Sequence, residues 1–275
     1  MTSQIAGVIA VHNQVRYARE SVLSLRPEVD ELVVVDDGSS DGSRELLRDL
    51  ARSLDFELIE HREAVGVSET YNEAVQAVSA DVILIQGGDD RSLPLRGARS
   101  ALALEDPAVS LVHSLPIVID ANGAILPDDA AAEFGAGASD GDPIAFLYEV
   151  GNCICAPSVA VRRADYLAAG GFPAGIDLLQ DYALWLELAA RGRFQHEPEP
   201  LVEYRKHGTN LSREYTGAED ARRSRYETEL RIVRDAFLDR ADETVLRRLG
   251  PVPGDPDLGP VSAEERRRLL RALRD

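Results

Sequence analysis

Positive charge and sulfur are both scarce in this chain. The 275 residues carry 30 Lys and Arg against 48 Asp and Glu, a formal net charge of −18. Binding along a nucleic-acid backbone or on anionic lipid needs a broad basic surface, so both are disfavoured as general roles. A single nucleotide remains possible, because a divalent cation can bridge two negative partners. The only cysteines, Cys153 and Cys155, are spaced to share one face of a strand and lack the partners of a zinc site. They read as packing residues in a reducing compartment. No apolar run is long enough for a transmembrane helix and no signal peptide opens the chain, so a soluble cytoplasmic protein, at most peripheral to the membrane, is expected. Glycine-rich phosphate loops are missing too. There is no Walker loop, and His12-Asn13 rather than a glycine turn follows the first apolar run. Residues 135–141 follow no clear strand and read as a flexible loop.

What is present is a regular alternation. Apolar, β-branched runs at residues 5–11, 31–35, 56–60 and 81–85 are separated by helical patterns at 17–25, 44–54 and 68–78. This order predicts an α/β fold with a mostly parallel sheet, wound right-handedly. Further on, residues 109–114, 117–120 and 152–161 have strand character, and Asp120-Ala121-Asn122-Gly123 has the composition of a hairpin turn. Helices are expected over 162–169 and from 178 to 191, the latter burying Leu184, Trp185, Leu188 and Ala189. Residues 128–142 read as a surface loop and candidate lid. Charged helices over 218–249 and 262–274, joined by a Pro/Gly linker at 250–260, end the chain. In the last one, Leu269, Leu270 and Leu273 form an apolar face bordered by Arg266, Arg267, Arg271 and Arg274. That face suits docking on the body, a second copy of the chain in a homo-oligomer, or a membrane surface, the first being the commonest.

The informative residues are carboxylates. Val33-Val34-Val35 stops at Asp36-Asp37-Gly38-Ser39, and the run at 81–85 leads to Gly87-Gly88-Asp89-Asp90. Ligands of open α/β sheets bind outside the carboxyl ends of strands, so two central strands ending this way would converge on one mouth. Hard oxygen ligands there suit Mg²⁺ or Mn²⁺ shared with a diphosphate. A calcium loop starting at Asp37 fails at its twelfth position, which is Arg48. Asp181, in the first turn of a strong helix, either complements the helix dipole or serves as a general base. His113 reads as a strand residue with a satisfied partner. Arg205-Lys206-His207 is the densest donor cluster outside the C-terminal helices, available to a diphosphate or, through the imidazole, to a metal.

In combination these elements resemble the inverting family 2 glycosyltransferases of the GT-A fold. The resemblance rests on residues 8–13, the Val-Val-Val-Asp-Asp-Gly-Ser turn, residues 66–72, and Gly88-Asp89-Asp90 with Pro94. It continues through Gly170-Gly171-Phe172, Gln180-Asp181-Tyr182 with Leu184-Trp185-Leu186, and Tyr204-Arg205 with His207 and Ser212. It implies a Rossmann-like sheet flanked by helices. Residues 1–100 would form the nucleotide-sugar-binding half, 101–215 the acceptor half, and 216–275 a helical extension. Asp37 would recognise the nucleobase, flanked by Ala10 and His12, with Asn13, Gly66, Asn72 and Asp89 also around the nucleotide. Asp90 and His207 would hold Mn²⁺ or Mg²⁺, and Asp181 would be the catalytic base. The donor would be a UDP- or dTDP-linked hexose and the acceptor a hydroxyl of a glycan, a lipid-linked precursor or a small molecule. His12 stands where Tyr is frequent, Tyr71 where Arg is common, and Gln180 where Glu often precedes the base. The alternatives are a non-catalytic nucleotide-sugar-binding or interaction protein of the same fold and, further off, a sugar-1-phosphate nucleotidyltransferase. The latter would need a basic glycine-rich loop after the first strand.

Overall fold

The structure, a computed structural model, describes residues 3–208, 210, 219–249 and 263–272. Ser212, the linker expected at 250–260, Leu273, Arg274 and the side chain of Leu269 lie outside the described residues.

The four expected N-terminal strands form: β1 (Ile5–Val11), β2 (Glu31–Asp36), β3 (Glu57–Glu60) and β4 (Val82–Gly87). They pair in parallel in the order β3-β2-β1-β4. Their continuous apolar runs follow from burial on both faces, since successive side chains of a strand point to opposite sides. Val8, Val33 and Val35 enter one hydrophobic cluster, while Ile9, Leu32 and Val34 enter the other. Helices α1 (Ala18–Leu25) and α2 (Ser43–Ser53) cover the second face through Val22, Leu25, Leu47 and Leu50. Helix α3 (Val67–Ala77) covers the first through Tyr71, Ala74 and Val75.

Beyond a two-residue strand β5 (Arg91–Ser92) and helix α4 (Arg96–Ala103), the sheet continues on the β4 side. It takes up β6 (Val109–Ser114), β8 (Ala160–Arg162) and β9 (Arg193–Glu197), in the order β4-β8-β6-β9. β8 runs antiparallel to its neighbours and β9 parallel to β6. A second sheet joins β5, β10 (Val202–Arg205) and β7 (Ile117–Ile119). Asp120 turns the chain after β7, with Ile119 bridging Ile125 in antiparallel fashion.

Two expectations fail here for local reasons. The strand expected over 152–161 is confined to its last residues, because Pro157 sits in a 3₁₀ turn (Ala156–Ser158) and the Ser158 hydroxyl bonds the Cys155 carbonyl at 2.7 Å. Cys153 and Cys155 therefore lie in irregular chain, both free, with burial raising their thiol pKa values and leaving them unreactive. The loop over 128–142 is tied down. Ala138 is fully buried, the Gly135 amide donates to the Cys153 carbonyl, and Lys206 donates to the Ala130 carbonyl.

Helices α5 (Pro143–Val150), α6 (Arg163–Ala168) and α7 (Gln180–Arg191) complete the body. Leu184, Trp185, Leu188 and Ala189 of α7 are fully buried, as the spacing predicts. Three C-terminal helices, α8 (Glu219–Arg240), α9 (Glu243–Arg248) and α10 (Ala263–Ala272), pack onto the same core through Val233, Phe237, Leu246 and Leu270. Arg267 of α10 donates to the carbonyls of Leu238 and Ala241, which fixes this helix against the end of α8, and Leu270 reaches the core. Among the described residues no helix is long and apolar enough to cross a membrane.

Candidate active site

β1 lies between β2 and β4, so the strands ending in the two Asp-Asp pairs open on one side of the sheet. A cavity of about 420 Å³ occupies this mouth. Of the residues expected at the site, Ala10, His12, Asp37, Gly66, Asp89 and Asp181 line it. Asn13, Asn72, Asp90 and His207 do not form its wall.

Each Asp-Asp pair is divided between structure and site. Asp36 is fully buried and its Oδ2 accepts from Arg44 Nε at 2.9 Å, fastening β2 to α2. Asp37 faces the cavity. Its Oδ1 accepts from the Val65 amide (2.7 Å) and His61 Nδ1 (2.8 Å), and its Oδ2 from the Gly66 amide (3.0 Å). Burial would raise the Asp37 pKa, but the His61 and main-chain donors outweigh it and hold it below the ordinary value. Oδ2 has a single partner and keeps acceptor capacity for a ligand. Gly38, at φ +66°, lets the 63–64 main chain come this close, since a Cβ there would lie 2.5 Å from the Ala64 nitrogen. His61 also reaches Glu73 (2.6 Å) through Nε2. Burial lowers its pKa, but two carboxylate partners carry the net shift upward. Nothing in the sequence around Glu60-His61-Arg62 marked this histidine, because both partners come from other elements.

At the second pair the cavity wall is formed by Asp89 and not by Asp90. Asp90 is buried and its Oδ1 accepts from the Arg205 amide at 2.8 Å. Burial, then the neighbouring Asp89 carboxylate, push its pKa well above the usual range. Asp89 is the member of the pair on the cavity wall. His207 joins Asp89 rather than Asp90: its Nε2 donates to Asp89 Oδ2 at 2.8 Å, and Asn210 Nδ2 approaches the same oxygen at 3.3 Å. Arg205 does not face a diphosphate. It is 1% exposed and spends its guanidinium on the carbonyls of Asp89 and Asp120 and on Glu20.

Asn72 also sits elsewhere. Its amide donates to the Phe172 carbonyl (2.8 Å) while its oxygen accepts from the Phe172 amide (3.0 Å) and the Tyr166 hydroxyl (2.7 Å). It braces the Gly170-Gly171-Phe172 turn, and with every polar atom engaged it is not a nucleotide ligand. Asn13 pins the end of β1 to the acidic turn, exchanging bonds with Ser39 Oγ and the Ser40 amide at 2.9 Å each. His12 donates from Nδ1 to the Asp37 carbonyl at 2.5 Å, which leaves Nε2 as acceptor toward Asn13. Tyr71 lines the cavity and donates to the Gln86 carbonyl at 2.8 Å, steadying the end of β4. His113 donates or accepts at Ser139 Oγ (2.9 Å), the satisfied strand residue expected.

Across the cavity, Asp181 sits in the first turn of α7. It accepts from Asn152 Nδ2 (2.9 Å) and the Tyr182 amide (2.7 Å), yet burial raises its pKa to about 6. Gln14 and Gln180 line the same cavity, and the Oε1 of each is buried without a partner. Buried acceptors of this kind call for a donor, and the hydroxyls of a sugar supply several. Among the described residues no three His, Cys, Asp or Glu side chains gather tightly enough to hold a metal by themselves.

A mostly parallel sheet with helices on both faces and an acidic cavity at its strand ends defines the class: the GT-A glycosyltransferase fold. The family model described as glycosyl transferase family 2 matches residues 8–148, just over half of the chain, and the chain belongs to that family. It is 28% identical over 221 residues to an uncharacterised glycosyltransferase of Nostoc sp. (strain PCC 7120 / SAG 25.82 / UTEX 2576), a match covering 75% of this chain and 66% of that protein. Among solved structures it is similar to S. aureus TarS 1-349 in complex with UDP-GlcNAc (TM-score 0.67, 17% identity, 90% of this chain and 70% of that one). It is likewise similar to the mannosyltransferase PcManGT from Pyrobaculum calidifontis in complex with GDP-Man and Mn²⁺ (TM-score 0.64, 18% identity, 90% and 68%).

Proposed function

We propose that this glycosyltransferase moves a hexose from a nucleoside-diphosphate sugar, UDP- or dTDP-linked, to an acceptor hydroxyl with inversion at the anomeric carbon. The observation that carries the proposal is Asp181: a carboxyl with a pKa of about 6 sharing one cavity with Asp37 and Asp89. A base with a pKa near the working pH combines correct protonation with driving force for proton transfer. Asp181 takes the proton of the attacking hydroxyl as its oxygen approaches the anomeric carbon from the side opposite the leaving diphosphate. Asp37 Oδ2 accepts from the nucleobase, the His12 ring flanks it, and the Gln14 and Gln180 carbonyls accept from sugar hydroxyls. The walls around Leu178 and Tyr204 limit access of water, the competing acceptor.

A cation fits the donor set. The Asp89 carboxylate on the cavity wall and the His207 imidazole bonded to it at 2.8 Å offer an oxygen and a nitrogen once a cation replaces the hydrogen between them, and such ions take one or two protein ligands plus substrate phosphates. Asp89 and His207 would hold Mn²⁺ or Mg²⁺, which supplies neutralisation of charge on the departing diphosphate. The acceptor, of the glycan, lipid-linked or small-molecule classes, approaches from the Asp181 side.

Thermal unfolding with UDP, dTDP, GDP or CDP, each with and without Mn²⁺, tests the reading. A ligand of the folded state present at 100 times its Kd stabilises by about 2.7 kcal/mol. Stabilisation by UDP or dTDP that depends on Mn²⁺ is expected. A melting temperature indifferent to all four nucleotides overturns the proposal and favours a non-catalytic interaction protein of the same fold.

A further inference from the structure

The catalytic base stands on a segment whose main chain is held by a helix far along the chain. Residues 177–179 lead directly into α7, two positions before Asp181. Their amides precede a helix and point where no intrahelical carbonyl can receive them. All three are received by one side chain, Glu229 of α8. Its Oε2 accepts from the amides of Leu178 (2.8 Å) and Leu179 (3.1 Å), and its Oε1 from that of Asp177 (3.3 Å). Glu229 is 4% exposed, whereas its neighbours Tyr226, Glu227 and Thr228 are exposed. A buried carboxylate is costly unless it is fully paired. Here the three amides and Arg225 Nε (3.0 Å) pair it, and Arg225 in turn binds Asp177. Asp177 and Leu178 line the substrate cavity alongside Asp181. The segment enters through Pro173 and through Gly175 at φ +76°; apart from the clamp it is held by the buried Ile176 and Leu179 side chains and by the Ser68 hydroxyl on the Ile176 carbonyl (3.5 Å).

We propose that Glu229 is a positioning residue for sugar transfer. By clamping the 177–179 main chain it fixes where α7 begins and hence where the Asp181 carboxylate stands, so the C-terminal helix is part of the catalytic apparatus although it touches neither donor nor acceptor. The inference rests on the assignment of Asp181 as base. Both residues lie beyond the stretch that matches the family model. The groups assigned to the nucleotide stand at the ends of β1, β2 and β4, away from the clamp, whereas Gln180 and Asp181 begin α7. Loss of Glu229 therefore acts on kcat and spares nucleotide binding.

The test compares wild type with Glu229→Ala and Glu229→Gln in steady-state transfer from the nucleotide sugar, alongside UDP affinity and amide hydrogen exchange of residues 175–183. Glu229→Gln is nearly isosteric and keeps one carbonyl oxygen for the Leu178 and Leu179 amides, so it supplies the readout if the Ala variant is too unstable to assay. Misplacement of a catalytic group by about 1 Å costs on the order of 100-fold in rate. Glu229→Ala should lose about that much in kcat, with UDP affinity within roughly twofold of wild type and with faster exchange at 177–179; Gln should recover most of it. A Gln variant with faster exchange but unchanged kcat, or a loss carried by UDP affinity instead, overturns the positioning role alone. Wild-type protein that turns over no nucleotide sugar overturns the functional proposal itself, and the catalytic role of Glu229 with it.

Discussion

Replacing Asp181 with Asn is expected to make the protein more stable and catalytically inert. Burial raises the Asp181 pKa from 3.8 to about 6, so the folded state prefers the neutral acid. The sign follows from linkage. Between these two values the folded protein binds more protons at this site than the unfolded chain, and stability falls as pH rises. The favourable contribution is complete below the unfolded value and gone above the folded one. The difference between about 6 and 3.8, at 1.36 kcal/mol per unit, corresponds to about 3 kcal/mol of destabilisation at pH 8. The carboxylate is partly open to the cavity, and Asn weakens one charge-assisted bond from Asn152, so roughly 1–2 kcal/mol should be recovered. Urea unfolding of both proteins from pH 4 to 8 should show near-equal stability at pH 4. The gap should open through pH 6 and level off near pH 8, while the variant binds UDP normally and transfers no sugar. A variant no more stable than wild type at pH 8 would refute the burial argument. One that keeps transferring sugar would refute the base assignment.

His61, with its pKa raised by two carboxylates, contributes stability that is complete below its unfolded value and lost as pH rises through the folded one. His61→Asn should therefore be destabilised relative to wild type at pH 6, and the difference should shrink by pH 9 in parallel urea titrations. The Asp89→Ala variant should lose the Mn²⁺-dependent part of UDP stabilisation. Asp90→Asn, which keeps the acceptor for the Arg205 amide in a setting that already favours the neutral acid, should retain it; the reverse pattern in the same thermal assay would restore Asp90 as metal ligand. Asn72→Leu should cost about 2–3 kcal/mol by stranding the Tyr166 hydroxyl and both polar groups of Phe172, yet leave UDP affinity within about twofold by calorimetry.

The strand-helix order, the ends of β2 and β4 and the apolar face of α7 were legible because each is written in adjacent residues. A run of Val and Ile that stops at Asp is visible whatever the rest of the chain does. The partners that fix each polar side chain were not legible. Asp89 meets His207 across 118 positions, Asn72 meets Phe172 across 100, and Leu178 meets Glu229 across 51. Periodicity carries no information at those separations. Composition misled in one place: Arg205-Lys206-His207 looked like donors for a phosphate, but folding directs Arg205 and Lys206 to carbonyls and acidic side chains of the protein itself.

The same logic explains why carboxylates occur in adjacent pairs at the mouth of the sheet. Of two consecutive aspartates one turns toward the cavity and the other toward the body, by strand alternation for Asp36 and Asp37 at the end of β2 and through the turn after β4 for Asp89 and Asp90. The inward member needs compensation and finds it nearby: Asp36 takes Arg44, and Asp90 takes the Arg205 amide while burial favours its neutral form. Each such bond fastens an element, α2 or β10, against the strand that carries the outward member. Asp37 and Asp89 are thereby presented from a backbone locked by their own neighbours. Substituting an inward aspartate should thus disturb the site through geometry, whereas substituting an outward one removes a ligand group and leaves the scaffold standing.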